Sequence, residues 1–107
     1  MAYDEQLAAR VRETLQGHGP VEEKAMFGGR GFLVGGSLAV CASHDGGLLV
    51  RVDAADQEAL LGEHVVPMEM GARISRTWVR VAPGDLGPGR LEAWVERGTA
   101  TAEGLAR

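Results

Sequence analysis

This sequence of 107 residues contains a single cysteine and no long apolar run. The lone Cys41 excludes an internal disulfide, which agrees with a reducing compartment. No stretch approaches the ~20 consecutive apolar residues of a membrane helix. The N-terminus also lacks the basic opening and the apolar run of a secretory signal. We therefore expect a cytoplasmic protein without a membrane segment.

Positively charged residues are also fewer than negatively charged ones. Eleven Lys and Arg residues against 15 Asp and Glu give a formal net charge of -4, a balance that repels a polyanion at long range. We therefore expect no autonomous DNA binding. At 45% hydrophobic and 24% charged residues, the composition is typical of a folded globular chain. The length allows one core and is too short for two, so we expect one domain over residues 1–107.

Helical periodicity marks three segments of the chain. The first runs from Asp4, a candidate N-cap, to Gly17. The second is short, begins after Asp53 as its N-cap and covers Ala54 to Leu61. A loop over residues 83–89 precedes the third helix. The apolar stripe of that terminal helix comprises Leu91, Trp94, Val95, Gly98, Ala102 and Leu105.

Strand patterns fill most of the remaining sequence. Four runs, at residues 21–27, 31–34, 38–42 and 48–52, are separated by glycine or Asp-Gly. Residues 65–68 predict at most a short edge strand because Pro67 cannot donate to a ladder, whereas residues 77–81 alternate cleanly. The connections are too short for parallel crossovers. We therefore expect an α+β fold: an antiparallel meander of about five strands, with helices at both ends and a short middle helix.

Glycine-rich segments between the strands predict turns. Gly35-Gly36 is typical of a two-residue hairpin, and residues 44–47 provide a second turn. Gly28-Gly29 is compatible with a tight turn, a bulge, or a close backbone approach. The same pair with Arg30 could contact a nucleotide, but a strand follows it, whereas a helix follows the known phosphate-binding loops. The pattern favours an architectural role for these glycines.

Cys41 and the histidines contain the residue types of a metal or catalytic site. Cys41 and His44 could join His18 and His64 in a four-ligand zinc set. Cys41, His44 and Asp45 contain the residue types of a catalytic triad. The alternative is that Cys41 is a small apolar side chain within a strand and that His18 and His44 lie in glycine-rich turns. We favour the alternative and expect no metal, no cofactor and no enzyme activity.

Period-two alternation places three large side chains on one face of the predicted sheet. Along its strand, Arg51 points to the opposite face from Val50 and Val52. In the same way, Trp78 and Arg80 point to the opposite face from their valine neighbours. If the two strands align, Arg51, Trp78 and Arg80 form an arginine and aromatic patch of the kind that is enriched in protein interfaces. The alternative is that a helix covers Trp78 and that the arginines are ordinary exposed side chains.

The segment Met26-Phe27-Gly28-Gly29 resembles the Met-Phe-Gly-Gly signature of the TfoX N-terminal domain family. The resemblance extends over nearly the whole chain: it includes the opening helix, Leu48-Val50-Arg51-Val52, Pro67-Met68, Trp78-Val79-Arg80-Val81 and Leu91-Glu92-Ala93-Trp94-Val95. It implies an α+β domain with an antiparallel sheet and with helices at both ends. The family is known for regulators of bacterial competence that act with the cyclic-AMP receptor protein.

Family members that regulate competence carry a second, C-terminal domain, whereas this sequence ends at Arg107. The resemblance therefore implies a non-enzymatic domain that works through another protein, with transcription machinery or a second copy of the chain as candidate partners. Met26, Phe27, Gly28 and Gly29 are the positions of this sequence that match the family signature. The competing hypothesis is a small-ligand-binding or enzymatic domain that uses the turn around Gly28, Gly29 and Arg30.

Overall fold

The computed structural model describes residues 5–26 and 28–105. Asp4, the predicted first N-cap, and Phe27, a predicted signature residue, lie outside the described residues. The elements follow in the order α1 (Glu5–Thr14), β1 (Val21–Met26), β2 (Gly29–Val34), β3 (Ser37–Ala42), β4 (Leu48–Arg51), α2 (Ala54–Leu60), β5 (Val65–Met70), β6 (Arg73–Val81), a 3-10 turn (Pro83–Asp85) and α3 (Arg90–Leu105). No helix in these ranges is long and apolar enough to span a membrane.

The strands form one six-stranded sheet in the order β1-β2-β3-β4-β6-β5. Every neighbouring pair is antiparallel, which confirms the predicted α+β fold and its antiparallel sheet. The described residues contain six strands, close to the predicted five. The difference lies at the sheet edge, where β5 pairs with β6 from Val65 to Met70 despite Pro67.

The predicted turns connect the strands. Gly35 and Gly36 join β2 to β3 with φ values of 62° and 88°, a left-handed conformation that glycine adopts at little cost. Gly46, with φ 87°, lies in the turn from β3 to β4. Asp53 occupies the N-cap position of α2, but its side chain makes no capping hydrogen bond. The predicted loop before α3 contains the 3-10 turn at Pro83–Asp85.

The main core lies between one face of the sheet, called the inner face here, and helices α1 and α3. Valines and Phe32 of the sheet pack there with Val11 of α1 and with Trp94 and Val95 of α3. Gly98 permits this close packing, because a Cβ at that position would lie 2.6 Å from the carbonyl oxygen of Ala39. The helices therefore cover the central strands from one side, and the opposite side is called the outer face.

Candidate protein-interaction surface

Met26, Gly28 and Gly29 of the signature lie where β1 gives way to β2. Met26 and Gly29 are the last paired residues of the ladder, and Gly28 between them has a φ of 72°. A Cβ on Gly29 would overlap the carbonyl oxygen of Ala42 on the neighbouring strand. Of the three predicted alternatives, the pair thus combines a tight turn at Gly28 with a close backbone approach at Gly29.

Gly31 makes room for two side chains on the outer face. A Cβ at Gly31 would lie 2.6 Å from the sulfur of Met26 and 2.9 Å from Cδ1 of Leu38. Both side chains instead extend over the bare backbone of Gly31 and pack against a buried cluster on the outer face. The glycines of this segment therefore shape the sheet and its outer surface.

Arg30 belongs to an ion-pair network with the end of helix α1. Its Nε lies 3.6 Å from Oε1 of Glu23, and Glu23 also accepts hydrogen bonds of 2.6 and 2.7 Å from Arg12. The hydrogen bonds from Arg12 keep the pKa of Glu23 below its ordinary value, and the positive charge of Arg30 acts in the same direction. Arg30 thus connects β2 to β1 and, through Glu23, to α1.

The backbone around Arg30 offers little to a phosphate group. Arg30 pairs with Ala25 on one side and with Ala42 on the other, so this segment is an internal strand of the sheet. Phosphate-binding loops present free amide groups at the start of a helix, whereas the amides of an internal strand are used by the ladders on its two sides. The geometry therefore argues against a nucleotide site built from Gly28, Gly29 and Arg30.

Cys41 is fully buried within the outer-face cluster. Burial raises the pKa of its thiol to about 11, the opposite of what a nucleophilic cysteine requires. Asp45 forms an ion pair with Arg80, so its carboxylate is engaged with a residue other than His44. The structure therefore does not show a catalytic triad of Cys41, His44 and Asp45.

Two of the three histidines make contacts elsewhere in the fold. His18 is 2.9 Å from Glu96 on α3, and His64 follows α2 near Gly84. Across residues 5–26 and 28–105, no three His, Cys, Asp or Glu side chains are grouped so that they could hold a metal ion. The four residues considered as zinc ligands are thus not brought together.

The structure brings Arg51, Trp78 and Arg80 onto one face. Arg51 is directly opposite Trp78 in the pairing of β4 with β6, and Arg80 is opposite Leu49. The guanidinium carbon of Arg51 lies 4.8 Å from the centre of the Trp78 ring, within cation–π distance. The predicted strand alignment is therefore present. Arg51 lies beside Trp78 on the neighbouring strand, and Arg80 lies two residues further along β6 on the same face.

Each of these arginines is also held by another part of the chain. Arg51 donates a hydrogen bond of 2.6 Å to the carbonyl oxygen of Leu38, and partial burial lowers its pKa from the usual high value. Arg80 is bound to Asp45 in the turn between β3 and β4. The arginines therefore have fixed positions, and Trp78 itself is only 8% exposed.

Trp78 belongs to a second apolar cluster on the outer face, which we call the outer cluster. All of its members are strand residues: Cys41, Leu49, Met68 and Trp78 are buried, and Met26 and Leu38 pack against them. Leu60 of α2 packs against the main core instead. The tryptophan is therefore shielded by side chains of its own sheet, rather than by a helix as the alternative interpretation supposed.

Beside the outer cluster lies an exposed surface that the sequence analysis missed. Val66 and Met70 of the β5-β6 hairpin are 49% and 46% exposed. Ile74 is 66% exposed, but it pairs with Glu69 while Met70 pairs with Arg73, so Ile74 lies on the opposite face of the hairpin from Met70. Arg73 and Arg76 are exposed on the same hairpin and make no ion pair with the described residues. We call Val66, Met70, Arg73 and Arg76 the hairpin surface. The valines and methionines at residues 65–70 were a signal for it, but the sequence predicted at most a short edge strand there.

A shallow depression connects the outer cluster to the hairpin surface. It has a volume of about 510 Å³ and is lined by residues that include Leu49, Val66, Met68, Met70 and Arg80. Methionine-lined surfaces adapt to irregular partners because the thioether side chain is flexible and polarizable. The depression can therefore receive an apolar side chain from another protein.

Comparison with known families places this geometry in context. Residues 13–102 match the TfoX N-terminal domain family. The matched region includes the signature residues, the outer cluster and the hairpin surface. No curated protein and no solved structure matches the chain.

Proposed function

The chain belongs to the TfoX N-terminal domain family, and from this membership and the outer surface we propose that it is a non-enzymatic protein-interaction domain. We propose further that it acts in the cytoplasm as an adaptor in transcription regulation, as the link between its family and competence suggests. The hairpin surface, together with the depression beside it, binds the protein partner.

The observation that carries this proposal is the concentration of exposed apolar side chains on the β5-β6 hairpin. Among the described residues, the exposed large hydrophobic side chains are Leu61, Val66, Met70, Ile74 and Leu105. Three of these lie on the hairpin, and Leu61 precedes its first strand. Apolar groups gathered in this way typically mark a binding surface, whereas single exposed residues need no explanation.

The charges of the hairpin indicate what kind of partner it binds. Residues 65–81 contain three arginines and one glutamate, although the whole chain has more acidic than basic residues. Arginine and methionine are enriched at the centres of protein interfaces, and unpaired arginines attract carboxylates. The partner surface is therefore expected to be apolar at its centre and acidic at its rim.

A pull-down with a surface variant tests the proposal. The double variant Val66→Ser and Met70→Ser removes two exposed apolar contacts that line the depression and leaves both buried clusters intact. Wild-type protein immobilised in native bacterial lysate should recover a component of the transcription machinery. The variant should recover at least about tenfold less of it, because truncating a central apolar contact typically costs more than 1 kcal/mol of binding.

Leu105→Ser is the matched control, because Leu105 is 58% exposed but lies on α3, away from the hairpin. It should recover the partner as the wild type does. If the wild type recovers no transcription component and deletion of the gene leaves expression unchanged, the adaptor proposal is wrong. Equal losses for the hairpin variant and the Leu105 control would show that the hairpin is not the binding surface.

A further inference from the structure

The sheet has two edges that differ in their capacity to pair with another strand. At one edge, β5 contains Pro67 in mid-strand, and proline has no N–H group to donate. At the other edge, β1 runs from Val21 to Met26 without proline. An edge strand presents unpaired N–H and C=O groups that can template pairing with another chain. The edge of β1 is therefore the better of the two for strand addition.

Helices leave the β1 edge accessible. The main contacts of α1 and α3 with the sheet are to β2, β3 and β4. Glu22, Lys24 and Ala25 of β1 are exposed. A strand from another molecule can therefore approach this edge in the plane of the sheet.

We propose that a second copy of this chain occupies this edge, with the two β1 strands paired antiparallel about a two-fold axis. The axis stands perpendicular to the sheet, so that two six-stranded sheets become one continuous sheet. Such an interface is isologous, because the same surface of each copy contacts its equivalent.

The charges of β1 favour one register for this pairing, the one that brings opposite charges together. A perpendicular two-fold axis places residues of the same sheet face opposite each other, so one residue must lie opposite its own copy, with the axis between them. We name each register by that central residue and say that the axis passes through it. When it passes through Glu23, each Glu22 lies opposite Lys24 of the second copy. When it passes through Glu22 or through Lys24, two like charges lie opposite each other, which is destabilising.

The chosen register also suits the other side chains of β1. Lys24 is opposite Gly31 in the existing ladder, so no side chain of β2 crowds it on the outer face. On the inner face, Val21 of one copy lies opposite Ala25 of the other, which makes an apolar pair.

The two Glu23 residues meet at the axis, but each is compensated within its own copy. Arg12 holds the Glu23 carboxylate with two hydrogen bonds, and the side chain of Arg30 lies 3.6 Å from it. Their mutual repulsion is therefore reduced, and the cross-strand pairs of Glu22 with Lys24 decide the register.

This interface lies at the opposite edge of the sheet from the hairpin surface. Pairing through β1 therefore leaves both hairpin surfaces free, so a dimer would present two copies of the partner site. The inference does not depend on the proposed function, and each can fail without the other.

Sedimentation velocity over a range from low to high micromolar concentration tests the pairing. Wild-type protein should show a reversible, concentration-dependent dimer. Either Lys24→Glu or Glu22→Lys places like charges at both cross-strand positions and should raise the dimer dissociation constant by about tenfold or more. The double variant E22K/K24E exchanges the two charges and should recover dimerisation.

Arg97→Glu is the control for the charge reversal, because Arg97 is exposed on α3 and the change in net charge is the same as in Lys24→Glu. It should leave the dissociation constant unchanged. Hydrogen exchange on the wild type should also show that β1 amides become more protected as the concentration rises. A wild type that is monomeric throughout overturns the inference, as does a dimer that is insensitive to both single reversals or not recovered in the double variant.

Discussion

At the scale of single residues, the signature glycines act through the space that they leave for other backbone atoms. Gly29 is buried against β3, where the carbonyl oxygen of Ala42 occupies the position that a Cβ would take. Backbone atoms of an internal strand cannot move aside without breaking ladder hydrogen bonds. What matters at this position is thus that glycine has no side chain.

We predict that Gly29→Ala lowers the free energy of unfolding by about 2 kcal/mol or more, because the added methyl group must displace the β3 backbone. Urea denaturation followed by circular dichroism measures this change. The control is Gly62→Ala, since a Cβ at Gly62 meets nothing within 4 Å. If the two variants are equally stable, the close approach at Gly29 does not constrain the fold.

The face of the sheet that a side chain occupies is easier to predict from the sequence than the residues that the side chain contacts. Period-two alternation placed Arg51, Trp78 and Arg80 on one face, and the register of β4 with β6 puts them together. The ion pair of Arg80 with Asp45 joins residues 35 positions apart, and no local pattern encodes it. Such pairs depend on strand order, which the chain fixes only when it folds.

At the scale of elements, three helices and most of the strands were predictable because each has a clear hydrophobic period. The prediction was wrong about the start of β6, which begins at Arg73 rather than at Thr77. Residues 73–76 have weak strand character in sequence and become a strand through pairing with β5, across an irregular register. This extension creates the hairpin surface, which explains why the sequence did not reveal that part of the candidate site.

The 3-10 turn and α3 are connected through one carboxylate. Asp85 accepts hydrogen bonds of 3.0 and 2.9 Å from Arg90 and one of 3.0 Å from the indole nitrogen of Trp94. The hydrogen bonds from Arg90, and then the one from Trp94, keep the pKa of Asp85 below its ordinary value. A carboxylate whose pKa is lowered by folding stabilises the native state above its unfolded pKa and loses that contribution as the pH falls.

We predict that Asp85→Ala lowers the free energy of unfolding by about 1–3 kcal/mol at neutral pH, because the largely buried indole of Trp94 loses its acceptor. The exposed ion pair with Arg90 should add little to this difference. As the pH falls below the ordinary aspartate value of 3.8, Asp85 becomes protonated and its charge-assisted hydrogen bonds weaken, so the difference in stability between the two proteins should become smaller.

Urea denaturation at neutral and acidic pH measures both effects. Glu103→Ala, an exposed change on the same helix α3, should alter the free energy of unfolding by no more than about 0.5 kcal/mol. A difference between wild type and Asp85→Ala that stays constant over the whole pH range would show that the charge of Asp85 is not involved.

At the scale of the whole molecule, positive charge is concentrated on one hairpin of an otherwise acidic chain. The three arginines of residues 65–81 stand against a formal net charge of -4 for the protein. Arg80 is neutralised by Asp45, which leaves Arg73 and Arg76 as the hairpin arginines that form no ion pair with a described residue. Such a distribution suits a local contact with an acidic protein surface better than it suits a long polyanion.

We predict that the protein alone does not bind duplex DNA at physiological salt with a dissociation constant below about 10⁻⁴ M. Non-specific DNA binding depends on several phosphate contacts and on the release of their counterions. Arg73 and Arg76 of the hairpin supply few such contacts, and the net negative charge of the chain repels the duplex. Fluorescence anisotropy of a labelled duplex measures the binding, first at low salt and then at physiological salt.

Weak binding at low salt should disappear in the double variant Arg73→Glu and Arg76→Glu, and it should persist in the Arg97→Glu control on α3. Micromolar binding that persists at physiological salt would contradict this prediction, whatever the variants do. The protein would then contact DNA directly, and the hairpin would have to be reconsidered as a nucleic-acid-binding element. Without such binding, a role in transcription requires a protein partner that supplies the DNA contact, because the acidic domain cannot reach the promoter by its own charge.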